Sequence, residues 1–386
     1  MESGPRLLIK GGSVFDGKGF CTQDVLIENA TFSACTDSGQ FAAKHDDVVI
    51  DARGLIVSAG FIDLHFHGCM GHDFCDGTSE AIDAISRFQA SRGITSICPA
   101  TMTYPEDKLT SIMSAAANWH APDDGSALVG INMEGPFISA SKVGAQNPLY
   151  VQKPDGAMLT RLIESSGGLV KLVDVAPEED GAIALIESMH DIVRFSIAHT
   201  CADYDCTQAA FAAGARQMTH LFNAMLPLHH RCPGPIAAAM DRDDVSAEII
   251  ADGIHIHPAM VRLAFREFGS DRMILISDSM MATGLDDGEY SLGGLPVTVR
   301  GNQATLHDGT LAGSATNLAR CIQIAHCDMG IPANDVLRAA TVNPARALGI
   351  DDTRGSIEAG KIADCVLLDS SLAVQQVILR GKLLTR

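Results

Sequence analysis

Apolar positions fall into three successive patterns along the chain. Short runs bounded by Gly, Asp and Asn come first: Leu7-Leu8-Ile9-Lys10 before Gly11-Gly12, then Asp24-Val25-Leu26-Ile27 and Val48-Val49-Ile50-Asp51. They read as strands of a small β module. From Leu55 onward, β-branched runs alternate with segments of helical period. The first spans Ile56-Val57 through Phe61-Ile62-Asp63-Leu64, and the others are Ile94 to Ile97, Ala127 to Met133, Leu169 to Val173, Val193 to Ile197, Gln217 to Thr219, Ser246 to Ile250 and Met273 to Ile276. Between them, residues 79–92, 105–119, 203–213 and 258–268 are predicted helices, several opened by Ser, Asp or Pro. Eight β–α units spread over roughly 220–260 residues predict an α/β chain folded as a (β/α)8 TIM-like barrel. After residue 350 the short runs return, as Gly355-Ser356-Ile357, Asp364 to Asp369 and Val374 to Leu379. Because the chain starts and finishes in one pattern, residues 1–54 and 351–386 are expected to pair into a small β-sandwich domain beside a barrel of residues 55–350.

Composition narrows the partners. With 46% hydrophobic and 19% charged residues over 386 positions, a sizeable core is affordable and disorder is excluded. The 28 Lys and Arg against 47 Asp and Glu leave a net charge of -19, which repels phosphate backbones and anionic lipid. Neither nucleic acid nor a membrane is an expected partner. Eleven cysteines are scattered without a CxxC spacing, as in reduced, mostly buried thiols. The segment Met1-Glu2-Ser3-Gly4-Pro5-Arg6 lacks a signal core, and no stretch reaches the ~18 apolar residues of a membrane span. A cytoplasmic location is expected.

Chemistry in such a barrel sits where the strands end, at one mouth. The polar residues that terminate the runs are His65 and His67 after the first, Glu134 after the third, His199 after the fifth, His220 after the sixth, Asp252 and His255 after the seventh, and Asp278 after the eighth. One such histidine is ordinarily a hydrogen-bonded structural residue. Several metal-competent side chains on one rim, without a thiolate among them, point instead to an ion of the Zn²⁺ or Fe²⁺ class with positions left open for water. In His65-Phe66-His67, strand alternation puts both imidazoles on one face, ready to share an ion.

Preceded by Ala59-Gly60-Phe61-Ile62-Asp63-Leu64 and followed by Gly68, that pair resembles the amidohydrolase superfamily. Further segments resemble its N-acetylglucosamine-6-phosphate deacetylase branch: Met133-Glu134-Gly135-Pro136-Phe137, Ala198-His199-Thr200, Thr219 to Met225, Ala251 to His255, Ser277-Asp278-Ser279-Met280, Leu311-Ala312-Gly313-Ser314 and Asn343-Pro344-Ala345-Arg346. The likeness spans nearly the whole barrel and continues into Gly360-Lys361-Ile362-Ala363-Asp364. It implies that Glu134, His199 and His220 hold the main metal ion and that Asp278 is the acid/base. It also implies substrate contacts from Ala145, Asn223, Ala224, Arg231, His255, Leu311, Ala312 and Gly313, and a homodimer in which the arginine crosses between subunits. One or two divalent ions follow, zinc first and iron, cobalt or manganese as alternatives, with His65 and His67 available for the second. Gln146 stands where many relatives carry His, and no role is assigned to it.

The activity so implied is hydrolysis of the acetamide of N-acetyl-D-glucosamine 6-phosphate to D-glucosamine 6-phosphate and acetate, in amino-sugar catabolism or recycling. His255 is left to serve either the carbonyl or the phosphate, and Arg231 is the expected phosphate fork. Residues 136–150 read as a loop long enough to cover the site. The rival readings are the same chemistry on the galactosamine epimer, a cyclic amidase or deaminase of the same superfamily, and a catalytically silent barrel that acts as a scaffold.

Overall fold

The computed structural model describes residues 6–385. Eight parallel strands follow the predicted runs: Phe61–Asp63, Ile94–Ile97, Ile131–Met133, Val170–Val175, Arg194–Ile197, Gln217–Met218, Ser246–Ile250 and Met273–Ile276. The last six pair in chain order as one sheet, while the first pairs with the second. Backbone hydrogen bonds at the strand ends join these pieces. Asn132 N–H donates to the Pro99 carbonyl at 2.9 Å, Asp278 N–H to the His65 carbonyl at 3.0 Å, and His67 N–H to the Ser279 carbonyl at 2.7 Å. The first and eighth strands thus meet, as in a TIM-like barrel.

Alternation along each strand sorts its side chains into two layers. Phe61, Ile97, Val173, Ile249 and Leu275 pack in one large core with helical residues such as Ile85 and Leu109. Their neighbours Ile62, Cys98, Leu172, Ile250 and Ile274 form a separate inner cluster with Ala345 and Leu348 of the helix Val342–Leu348. Helices Ser79–Ser91, Glu106–Ala117, Tyr204–Ala213 and Pro258–Phe268 lie within two residues of their predicted bounds. Thr78 and Asp203 cap the first and third with side-chain oxygens that accept backbone N–H bonds.

The terminal segments share one eight-stranded sheet. Its centre is Leu7–Phe15, flanked by Phe20–Glu28 on one side and Ile56–Ala59 on the other, and Cys365–Leu368 pairs antiparallel with Ile56–Ala59. This sheet has its own core, including Leu7, Ile9, Val25, Phe32, Val57, Cys365 and Ile378. The first apolar run is therefore divided, with Ile56–Ala59 in the terminal sheet and Phe61–Asp63 in the barrel. Gly60 makes the junction, because a Cβ there would lie 2.1 Å from Thr95 Oγ1.

One element escapes the β–α reading. After the eighth strand, Gly288–Leu292, Leu295–Arg300 and Gln303–Thr305 form a three-stranded antiparallel sheet. Gly293-Gly294 between Leu292 and Leu295 is a two-residue hairpin turn, a local signal available in the sequence. Among the described residues no helix is long and apolar enough to cross a membrane.

Candidate active site

Each of the predicted rim residues follows the end of its strand, and they converge. Glu134 is 3% exposed and stands between two groups of imidazoles. Its Oε1 lies 2.9 Å from His199 Nε2 and 3.3 Å from His220 Nε2, while Oε2 lies 3.6 Å from His65 Nε2 and 3.3 Å from His67 Nε2. Asp278 closes the group, with Oδ1 3.3 Å from His67 Nε2 and 3.9 Å from His65 Nε2. The backbones at His199, His220 and Asp278 have φ values of 43°, 30° and 51°. Non-glycine residues enter this left-handed region at a cost, and three such residues turning into one space is a mark of a functional site.

Electrostatics bind the cluster together. Burial pushes the Glu134 carboxyl up, but the imidazoles of His65, His199 and His220 outweigh it and hold the group well below the usual carboxylate range. Burial likewise acts against Asp278, and the neighbouring imidazoles of His67 and His65 lower it instead. For His67 burial pulls down, yet Asp278 and Glu134 dominate and lift it to about 10.

The donor set fits a divalent cation. His65 Nε2, Glu134 Oε2 and Asp278 Oδ1 are buried without hydrogen-bond partners, a costly state unless something else satisfies them. Ligand atoms of His65, His67 and Asp278 lie within 4.8 Å of one another, as do those of His65, Glu134 and His220. Imidazole nitrogens and carboxylate oxygens around a shared space are the ligands of zinc and related ions. His199 is held for the same role, its Nδ1 bonded at 2.8 Å to the carbonyl of Lys142.

A cavity of about 470 Å³ opens over these groups. Ala145, Asn223, Ala224, His255, Leu311 and Gly313 line it. Ala312 is buried behind the wall, its N–H bonded to the Ala304 carbonyl. Gly313 has φ 61°, and a Cβ there would approach the Asp278 carbonyl to 2.9 Å. Arg231 is not among the lining residues; it sits in the exposed stretch 227–232. Asp252 accepts from His255 Nδ1 at 2.7 Å, so the other ring nitrogen is free for the cavity. Burial lowers the His255 imidazole, but this bond and the Asp252 charge more than offset it and raise it above its ordinary value.

Sequence reading missed several contributors. Gln146 is buried in the cavity wall, its Oε1 accepting from Thr103 N–H at 2.7 Å. Leu292, Asp308 and Thr310 reach the cavity by way of the antiparallel excursion. Beneath the rim, Glu248 is fully buried and bonds His65 Nδ1 at 2.9 Å. Its signal was a lone carboxylate in the apolar run Ser246-Ala247-Glu248-Ile249-Ile250.

Comparison with known proteins agrees with this geometry. Residues 56–384 match the amidohydrolase family. The N-acetylglucosamine-6-phosphate deacetylase of Bacillus subtilis (strain 168) is 39% identical over 85% of this chain and 84% of its own length. The N-acetylgalactosamine-6-phosphate deacetylase of Escherichia coli O157:H7 is 33% identical over 87% of this chain and 89% of its own. The Mycobacterium smegmatis N-acetyl-D-glucosamine-6-phosphate deacetylase, solved as a point mutant in complex with N-acetyl-D-glucosamine-6-phosphate, superposes with a TM-score of 0.92 at 32% identity, covering 99% of this chain and all of that one. With a rim of imidazoles and carboxylates on eight parallel strands and relatives matched over most of their lengths, the chain belongs to the amidohydrolase family.

Proposed function

We propose that this protein hydrolyses the acetamide of N-acetyl-D-glucosamine 6-phosphate, releasing D-glucosamine 6-phosphate and acetate. The observation that carries the reading is the convergence of Glu134, His199, His220 and Asp278 on one cavity, in a chain 39% identical to a deacetylase of that substrate. Glu134, His199 and His220 would hold the main divalent ion. His65 and His67, with Asp278 and the second oxygen of Glu134, offer a place for another; zinc suits both donor sets, with iron, cobalt or manganese as alternatives. Such an ion, when bound, supplies a Lewis acid for the acetyl carbonyl and lowers the pKa of water toward ~7.

The chain's own groups divide the remaining work. Asp278, an ionised carboxylate with a free Oδ1, takes the proton of the attacking water and returns it to the departing amine nitrogen. His255, its Nδ1 bonded to Asp252 and its imidazole raised above the ordinary value, donates in its protonated form from Nε2 to the carbonyl oxygen as charge develops there. The backbone at Ala145 and Leu311 to Gly313, with Asn223 and Ala224, grips the sugar and its phosphate. Arg231 is the phosphate fork, and its exposure and its absence from the cavity lining of its own chain support donation from a second copy, hence a homodimer.

The galacto epimer is the second reading, favoured by the 33% identical deacetylase of that sugar. Acetate release from both 6-phosphorylated amino sugars, compared as kcat/KM, decides between them, and turnover of neither would overturn the proposal. A silent scaffold is disfavoured by the intact rim. We further assign the terminal segments, within 1–54 and 351–386 and with the strand Ile56–Ala59, to a small β domain and the chain from Phe61 to residue 350 to the catalytic barrel; the separate terminal core, which takes in Val57 and Ala59, supports a division at Gly60. Among the described residues all eleven cysteines are free, which suits the reducing cytoplasm.

A further inference from the structure

We infer that Glu248 is the positioning residue that fixes His65 as a metal ligand, through a directed chain of hydrogen bonds that starts at Arg194. The inference rests on His65 serving an ion, as proposed above, and it adds why that imidazole presents the required nitrogen.

The chain crosses the inside of the barrel. Arg194 on the fifth strand donates from Nε to Gln217 Oε1 at 2.9 Å. Gln217 on the sixth donates from Nε2 to Glu248 Oε1 on the seventh, at 2.5 Å. Glu248 Oε2 then lies 2.9 Å from His65 Nδ1, just beyond the first strand. The same oxygen accepts the backbone N–H of His220 at 3.3 Å. Gln217, Glu248 and His65 are fully buried, so water is not at hand to replace a lost bond.

Direction follows from donor chemistry. A guanidinium can only donate, so Gln217 must turn its carbonyl to Arg194 and its amide nitrogen to Glu248. A carboxylate can only accept, so the proton between Glu248 and His65 belongs to His65 Nδ1. The bare nitrogen is then Nε2, and Nε2 is the atom that faces Glu134 Oε2 and Asp278 Oδ1 without a hydrogen-bond partner of its own. Asn132 Nδ2, 3.2 Å from the same Nδ1, is itself a donor, whereas turning the amide over would set the unpartnered Asn132 Oδ1 there to accept beside Glu248. By also holding the His220 backbone, Glu248 ties together one imidazole on each side of Glu134. A carboxylate behind a ligating histidine fixes its tautomer and ring plane and is worth ~10–100-fold in metal affinity.

A glutamine cannot replace it. One end of the amide is a donor, so Glu248→Gln must set an N–H against either Gln217 Nε2 or His65 Nδ1–H, even though its shape is unchanged. The test measures zinc binding to the metal-free full-length chain, as stoichiometry and affinity by chelator competition, with the melting temperature of the metal-free form as a folding check. The expected result for Glu248→Gln is a folded chain whose zinc affinity at the His65 side falls ~10–100-fold, with Glu248→Ala at least as weak and His65→Ala not additive with either. If the wild type takes two ions and Glu248→Gln takes both at unchanged affinity, the inference is overturned while the two-ion reading stands. If the wild type takes one ion, the two-ion reading fails by itself. Glu248 is then supported when Glu248→Gln weakens that ion as His65→Ala does, and overturned when it leaves it unchanged. Loss of a melting transition in Glu248→Ala alone leaves the decision with the isosteric Glu248→Gln.

Discussion

Asp278 is the residue whose loss is easiest to interpret, since its neighbours stay in place when one oxygen becomes an amide. Asp278→Asn should keep the ion held by Glu134, His199 and His220 and still bind substrate, while kcat falls ~10²–10⁴-fold for want of a proton acceptor. Near wild-type turnover in steady-state assays would transfer the role to another group. His67 offers a pH test with a definite sign. In the metal-free chain its imidazole is lifted to about 10 by Asp278 and Glu134 against the pull of burial. A folded-state value raised above the unfolded ~6.5 gives stability that is complete below ~6.5 and lost as the pH climbs through about 10. The melting temperature of the chelated protein should therefore fall between about pH 7 and about pH 10. Zinc must also expel that proton, so calorimetry in buffers of different ionisation enthalpy should record proton release on binding. Binding with no proton exchange would contradict the assignment of His67 to the site.

At the scale of elements, the strands and their terminal polar residues were legible because period and position are local properties. His65, Glu134, His199, His220 and Asp278 announced themselves by standing where apolar runs stop. What supports them was not legible, since Gln217 reaches Glu248 from a neighbouring strand and Glu248 meets His65 only through the closure of the barrel. The antiparallel excursion was passed over for a different reason: only its middle strand, with Leu295, Val297 and Val299 alternating, prints an apolar period, and the short strands on either side are mostly exposed. It nonetheless brings Asp308, Thr310 and Leu311 to the cavity. The exposed stretch 227–232 is an element of a third kind, offering Arg231 away from its own site. If Arg231 serves a second copy, mixing Arg231→Ala and Asp278→Asn subunits should rebuild one intact site per hybrid dimer, about a quarter of wild-type activity in a random mixture. Each variant alone should stay impaired, and a mixture no better than its parts would place the arginine's service within its own chain.

Over the whole molecule, a net charge of -19 coexists with a site meant for a doubly charged sugar phosphate. On the proposed function the favourable field at the mouth would come from bound cations, from Lys142 and His255 of the lining and from Arg231, so metal-free protein should bind substrate poorly as well as react slowly. The terminal sheet sets a second global condition. Cys365–Leu368 covers the edge of Ile56–Ala59, and Val57, Ala59, Cys365 and Leu367 share the sheet's core. A chain ending before Cys365 would leave that edge bare and unbury several side chains worth ~1.5–3 kcal/mol each. It should lack a cooperative melting transition and aggregate, as circular dichroism and light scattering would record; a soluble, cooperatively melting truncation would show that the barrel stands without its last strands.

That same pairing imposes a timetable. Ile56–Ala59 leads straight through Gly60 into the strand that carries His65 and His67, but its partner strand begins only at Cys365. At ~5–20 residues per second, synthesis of the intervening stretch takes roughly 15–60 s. During that interval Ile56–Ala59 is paired on one edge only, with Leu7–Phe15, while Glu134 and Asp278, the carboxylates that His65 and His67 face, are both made before Cys365. The terminal sheet is thus completed only after every proposed metal ligand is already in the chain, and its closing strand seals the small core around Val57 and Ala59 last.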